Sequence, residues 1–221
     1  MTLRQFSRGF RFDPIAKGSP EALVVLLHDL GSAAARLTPL AARWAAAVPT
    51  TAFIALDGNE QLGASYGSVE PAMLDRAAGY LEPLIEQQLG DYGLDSSRLV
   101  LVGFGYGGTL VLHMLLRRGW DCAGVLAFGA KLVRPLPQRL RVGAKVRLIE
   151  CVPERDIGQT RLRDSVALLT ARGIDARGVL LVGSVLSDET IRHGGAYLVE
   201  LVGTAQRGHQ LRLDRESRLA R

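Results

Sequence analysis

Residues 103–108, with the sequence Gly-Phe-Gly-Tyr-Gly-Gly, have the spacing that points most directly to chemistry. Residues 98–102 before them predict a buried strand, and the apolar residues 109–116 after them predict a helix. A strand, a glycine-spaced turn and a helix are typical of a nucleophile elbow, where a G-x-S-x-G pattern lifts a serine hydroxyl above a sheet. The central position here is Gly105, which has no side chain and cannot attack a substrate. The segment therefore predicts a nucleophile turn that lacks its nucleophile.

The same glycines also fit a second pattern, Gly103-x-Gly105-x-x-Gly108, which matches the fingerprint of dinucleotide-binding proteins. That fingerprint normally opens the first strand-helix unit of its fold, whereas two predicted strands precede this one. The acidic residue expected at the end of the next strand is also absent, since residues 128–131 read Phe-Gly-Ala-Lys. Dinucleotide binding remains an alternative interpretation of this segment.

Short strands rich in branched aliphatic residues alternate with helical segments along the chain, a pattern typical of α/β proteins. We expect one domain over residues 1–205, with a mostly parallel central sheet flanked by helices on both faces, followed by an arginine-rich C-terminal tail at 206–221. The predicted strands are 23–27, 51–56, 98–102, 124–128, 145–151 and 179–182. The predicted helices are 36–48, 71–89, 109–116, 158–172 and 188–202.

With these elements in this order, the chain resembles the carboxylesterase/phospholipase family of α/β hydrolases, which includes the acyl-protein thioesterases. Residues 26–31, Leu-Leu-His-Asp-Leu-Gly, resemble the family's first-strand L-H-G-L-G segment. Residues 104–108 resemble its G-F-S-Q-G-G elbow, and residues 126–136 resemble the strand and proline loop that follow. The resemblance extends over nearly all of residues 23–202. It implies the α/β-hydrolase fold and an ancestral hydrolysis of esters or thioesters.

The family's chemistry uses a serine, an acid after a later strand and a histidine before the final helix, in that chain order. The resemblance places the nucleophile position at Gly105 and the base position at Ser184. It places the acid position at Glu154, with Asp156 as the second match. Because the nucleophile and the base are both missing, we expect a catalytically inactive homologue that acts in ligand binding or protein interaction.

The resemblance also implies a pocket around the elbow. The backbone N–H groups of Leu30 and Tyr106 correspond to the oxyanion hole, and His28 corresponds to a structural residue of the family. Ser65 and Tyr66 lie in a segment that corresponds to the family's W-Y-D region. We expect this former cleft to accept a small acyl or anionic ligand, since an elbow directs N–H groups and a helix N-terminus into it.

Asp29 stands where the family has a glycine, beside the expected oxyanion hole. Its carboxylate would oppose the negative charge that such a hole stabilises. It could also serve as a general base or nucleophile, but the simpler interpretation is that it caps the N-terminus of the helix that follows.

An active hydrolase with a relocated nucleophile is a further alternative. Such an enzyme needs a serine or cysteine within hydrogen-bond reach of a base. The candidate nucleophiles are Ser32, Ser65, Ser184 and Cys151, and the candidate bases are His28, His113, His193 and His209.

Composition restricts the remaining classes. The net charge of +5 is carried almost entirely by arginine, and no basic run is interleaved with aromatic residues, so we do not expect nucleic-acid binding. The N-terminus lacks a secretory apolar stretch, and no segment has the length and apolarity of a membrane span. The two cysteines, Cys122 and Cys151, have no disulfide or metal-ligand spacing. We expect a cytoplasmic protein without metal or cofactor, and the family resemblance makes a homodimer plausible.

Overall fold

A computed structural model describes residues 3–6, 8–57, 69–153 and 155–219; within these ranges, the side chains of residues 3–6, 155–159 and 206–219 are not described. The strands are β1 (Leu3–Phe6), β2 (Gly9–Phe12), β3 (Ala22–Leu27), β4 (Thr51–Leu56), β5 (Leu99–Phe104), β6 (Gly124–Phe128), β7 (Lys145–Val152) and β8 (Asp175–Val182). The α-helices are α1 (Thr38–Ala45), α2 (Pro71–Tyr92), α3 (Tyr106–Leu116), α4 (Arg155–Ala171) and α5 (Asp188–Leu219).

The eight strands form one sheet in the order β1-β2-β4-β3-β5-β6-β7-β8. All neighbours from β4 to β8 are parallel, whereas β1 and β2 join the β4 edge as an antiparallel pair. The mostly parallel sheet expected from the sequence is confirmed. The antiparallel pair was not predicted, because its short sequences, LRQF and GFRF, lack a continuous apolar run.

Both faces of the sheet are covered by helices. In β3, Leu23 and Val25 face a core that includes the buried sides of α2 and α3, while Val24 and Leu26 face a second core that includes α1 and α5. All four side chains are fully buried, which explains why β3 is apolar at every position instead of alternating. Helix α5 continues without a break across the predicted domain boundary at residue 205 and ends at Leu219.

A fully buried arginine on β7 forms hydrogen bonds with side chains on β8 and α5. Arg147 donates to Glu200 through Nε at 3.0 Å and Nη2 at 2.6 Å, and to the Asp175 carboxylate through Nη2 at 3.0 Å. These hydrogen bonds hold the pKa values of Asp175 and Glu200 below their ordinary values, against the opposing effect of burial. The exposed Arg177 lies at the rim of the same cluster, 3.7 Å from Asp175.

We expect Arg147→Met to lower the free energy of unfolding by about 3 kcal/mol, because it leaves two carboxylates without their buried cation. Arg177→Met, the control, removes a side chain that is 61% exposed and should cost less than about 0.5 kcal/mol. Urea unfolding at neutral pH measures both changes.

The pH dependence of the free energy of unfolding gives a second test of the Arg147 cluster. The pKa values of both carboxyls are lower in the folded state than in the unfolded state, where they are near 4. The two carboxylates therefore stabilise the fold above the unfolded-state pKa, and this stabilisation is lost as the pH falls through the folded-state pKa. Arg147→Met should therefore lose less stability between about pH 5 and pH 3 than the wild type does. A steeper acid loss in the variant would contradict this assignment.

Candidate functional site

The order of the strands determines where the site lies. From β3 the chain moves to β4 on one side, and from β5 it moves to β6 on the other, so adjacent β3 and β5 flank the point where the winding direction reverses. Crevices at such points, outside the carboxyl ends of the strands, are the usual ligand sites of open α/β sheets. Asp29 follows β3 and Gly105 follows β5, so the topology brings these two residues together.

Gly105 retains the backbone of a nucleophile elbow. Its φ and ψ are +52° and −112°, a conformation in which a residue with a side chain is strained. Its N–H donates to the Phe128 carbonyl at 2.8 Å, and its own carbonyl accepts from the Thr109 N–H at 3.0 Å, in the first turn of α3. Gly107 lets α3 pack directly on the end of β3, because a Cβ there would lie 2.5 Å from the Leu27 carbonyl oxygen. The strand, the tight turn and the helix are therefore all present, with a glycine at the centre of the turn.

The carboxylate of Asp29 lies against the backbone of Gly105, at the N-terminus of α3. Its Oδ1 accepts hydrogen bonds from the backbone N–H groups of Leu30 and Tyr106, both at 2.8 Å. A Cβ added to Gly105 would lie 2.2 Å from Cγ and from both carboxylate oxygens of Asp29. The two N–H groups that the family resemblance places in an oxyanion hole therefore both donate to a carboxylate of the chain itself.

The interpretation of Asp29 as a cap for the following helix is wrong. The 3₁₀ turn at Ala34–Leu37 has Ala33 at its N-cap with no side-chain hydrogen bond, and the Ala34 N–H donates instead to Asp57 Oδ1 at 2.8 Å. Asp29 lies at the N-terminus of a different helix, α3, whose first residue is Tyr106. Its negative charge is favourable there because the first N–H groups of a helix have no acceptor within the helix and because of the helix dipole.

The backbone carbonyl of Asp29 also accepts hydrogen bonds, which hold the loop in place. The His28 Nδ1 lies 2.7 Å from the Asp29 carbonyl oxygen, which can only accept, so Nδ1 carries a proton. The Ser32 N–H donates to the same oxygen at 3.1 Å. The Nε2 of His28 lies 4.0 Å from Asp57 Oδ1, a residue that sequence reasoning did not single out. These contacts position the loop between β3 and the 3₁₀ turn.

The base position follows the last strand. Ser184 is exposed, and its hydroxyl accepts a hydrogen bond from the Leu186 N–H at 3.2 Å, as part of the turn before α5. The acid position Glu154 and the pocket residues Ser65 and Tyr66 lie outside the described residues, as does the side chain of the second acid candidate, Asp156.

Neither cysteine has the properties of a relocated nucleophile. Cys151 Sγ lies 3.5 Å from Thr190 Oγ1, and burial raises the pKa of its thiol. Burial raises the pKa of the Cys122 thiol to about 12. Because the thiolate is the reactive form, both groups are poor nucleophiles near neutral pH.

One further ionisable group near the carboxyl edge was not identified from the sequence. Glu150, near the end of β7, is buried, and burial raises the pKa of its carboxyl while a hydrogen-bonded ion pair with Arg161 lowers it. No sequence signal distinguishes this residue, because its partner lies on α4. Within the described residues, no group of three or more histidine, cysteine or acidic side chains is arranged to hold a metal ion. No helix in the described part of the chain is apolar and long enough to cross a membrane.

The dinucleotide interpretation is disfavoured by this geometry. A pyrophosphate would require the N-terminus of α3, where Asp29 already accepts the Tyr106 N–H. The unit of β5 and α3 is also preceded along the chain by four strands, whereas the fingerprint belongs to the first strand-helix unit of its fold.

Comparisons with known proteins agree with this fold. Residues 63–145, which include β5, the elbow and α3, match the family model described as Phospholipase/Carboxylesterase. Among solved structures, esterase PE8 has a TM-score of 0.74 at 23% identity and covers 91% of this chain and 100% of its own. The Bacillus cereus carboxylesterase has a TM-score of 0.71 at 14% identity, covering 86% of this chain and 92% of its own.

A structure of YahD with malic acid has a TM-score of 0.65 at 20% identity, covering 84% of this chain and 97% of its own. None of the curated protein sequences matches this one. The chain has the α/β-hydrolase fold, and the part of it that contains the elbow is similar to the phospholipase/carboxylesterase family.

Proposed function

We propose that this chain is a catalytically inactive member of the carboxylesterase/phospholipase-like α/β hydrolases that acts by binding. The single observation that carries the proposal is the Asp29 carboxylate, which accepts the Leu30 and Tyr106 N–H groups and lies where a Gly105 side chain would be. An ester hydrolase needs these donors for the charge that develops on its substrate.

Three parts of the machinery are altered together. Gly105 supplies no nucleophile, Ser184 supplies no imidazole, and Asp29 fills the oxyanion position. Removing one oxyanion donor from a serine hydrolase costs about 10²–10³ in kcat, and here both donors already have an acceptor. Nucleophile and base act as a unit, so the loss of either removes most of the rate enhancement.

Asp29 itself is a poor replacement nucleophile. Two backbone N–H groups already donate to its Oδ1, so attack through this oxygen would disturb both hydrogen bonds. Attack by Asp29 on a substrate would also require those same donors to stabilise the resulting oxyanion. One pair of N–H groups cannot serve both purposes at once.

Fluorophosphonate labelling of the purified wild-type protein tests the proposal. We expect no increase in intact mass, beside a serine esterase of the same fold that is labelled to completion under the same conditions. Assays with p-nitrophenyl and thioester substrates should give rates no higher than buffer. A stoichiometric adduct on a single peptide would overturn the proposal and identify the relocated nucleophile.

A further inference from the structure

A groove with a volume of about 610 Å³ lies between the loop after β6 and helix α4. This volume is typical of small-molecule sites. Its wall includes the apolar Leu132 and a set of charged and hydroxyl side chains: Lys131, Arg134, Thr160, Arg161, Asp164 and Ser165.

The groove adjoins the elbow. The Lys131 N–H donates to Thr109 Oγ1 at 2.9 Å, and Thr109 belongs to the first turn of α3. Lys131 is therefore anchored at the same edge of the sheet as Gly105, three residues beyond the end of β6. The groove therefore lies at the same edge of the sheet as the elbow.

The charges on the wall are unequal. Arg161 pairs with the buried Glu150, so part of its charge is already balanced. Lys131 and Arg134 are exposed, and neither forms an ion pair with any side chain that the structure describes. Asp164 is the one acidic residue among the described side chains that line the groove. The wall therefore presents unbalanced positive charge beside hydroxyl donors.

From this arrangement we infer that the groove binds a small ligand bearing a phosphate group. Phosphate accepts hydrogen bonds on several oxygens, and a guanidinium, an ammonium and hydroxyl groups are the donors it commonly meets in proteins. The N-terminus of α3, the other anion-binding feature at this edge, is occupied by Asp29. The inference rests on the proposed binding role, but it requires no residue of the former triad.

Calorimetric titration with phenyl phosphate tests the inference, with benzoate as the carboxylate probe of similar shape. We expect phenyl phosphate to bind the wild type at least about tenfold more tightly than benzoate. The double variant Lys131→Gln/Arg134→Gln should weaken phosphate binding by at least about tenfold, since it removes two charged donors.

The matched control is Arg139→Gln/Arg163→Gln, which removes the same net charge from exposed arginines on the same loop and helix, outside the groove wall. Binding to the control should stay within about twofold of the wild type. Equal weakening in both double variants, or no binding of phenyl phosphate and no binding in the vesicle arm below, overturns the inference.

The phosphate could be carried by a soluble molecule or by a lipid headgroup, and a second arm separates these sources. Vesicles of phosphatidylcholine with 20% phosphatidic acid are sedimented with the wild type and with both double variants. If only vesicle binding depends on Lys131 and Arg134, the ligand is a lipid headgroup. If only phenyl phosphate binding depends on them, the ligand is a soluble molecule. Fluorophosphonate labelling of the same preparation reports on catalysis separately, so failure of one proposal is distinguishable from failure of the other.

Discussion

Gly105→Ala is expected to lower the free energy of unfolding by about 3 kcal/mol in the wild type, and by much less when Asp29 is also changed to alanine. The new methyl group would lie 2.2 Å from three atoms of the Asp29 carboxylate, a distance that requires one of them to move. A smaller part of the cost, about 1 kcal/mol, comes from the positive φ at this position and remains in either background. The structure thus makes glycine at 105 and aspartate at 29 mutually dependent.

Urea unfolding of the four proteins in this double-mutant cycle measures the dependence. We expect an interaction free energy of about 1–3 kcal/mol between the two substitutions. Gly107→Ala is the control, since the atoms nearest to its methyl group would be backbone atoms of Leu27 and His28. Its cost should be the same with either residue at position 29. Additive costs at Gly105 and Asp29 would mean that the carboxylate does not lie against the elbow.

The order of elements and the elbow could be predicted from the sequence because both depend on local features. Residues 22–27 are apolar at every position, as expected of a strand that is covered on both faces. The glycines within residues 103–108 indicate the tight turn. Strand β8 begins four residues before its predicted start at 179, at Asp175. Those first residues, Asp-Ala-Arg-Gly, are polar or small, and they form a strand because each pairs with β7.

The site itself required tertiary information. The sequence placed a carboxylate near the N–H groups of Leu30 and Tyr106, but which donor Asp29 meets depends on the packing of β3 beside β5. From the sequence, Asp29 was expected to cap the next helix along the chain. It accepts a hydrogen bond from the helix that begins at Tyr106, 77 residues away. The Arg147 cluster is similar, since Glu200 lies 53 residues further along the chain. Neither partner could be identified from spacing alone.

Restoration of ester hydrolysis should require three substitutions, and the pair Gly105→Ser/Ser184→His should remain inactive. In that pair the new serine must share its space with the Asp29 carboxylate, and the oxyanion donors are still engaged by it. Adding Asp29→Gly, the residue that the family resemblance implies at this position, removes both obstacles. We expect the triple variant to hydrolyse p-nitrophenyl acetate at least about 10²-fold faster than the pair, which corresponds to the recovery of one or more oxyanion donors.

The matched control is Asp29→Gly/Gly105→Ala/Ser184→His, which opens the same space and carries the same histidine but no hydroxyl. It should show neither hydrolysis above buffer nor a fluorophosphonate adduct, whereas the triple variant with serine should gain one adduct on the elbow peptide. Equal labelling rates in the pair and the triple variant would show that Asp29 does not obstruct the elbow. Labelling of the triple variant alone would show that Asp29 obstructs the elbow and that a serine and a histidine at 105 and 184 suffice for a reactive nucleophile, because nothing else in the chain would have changed.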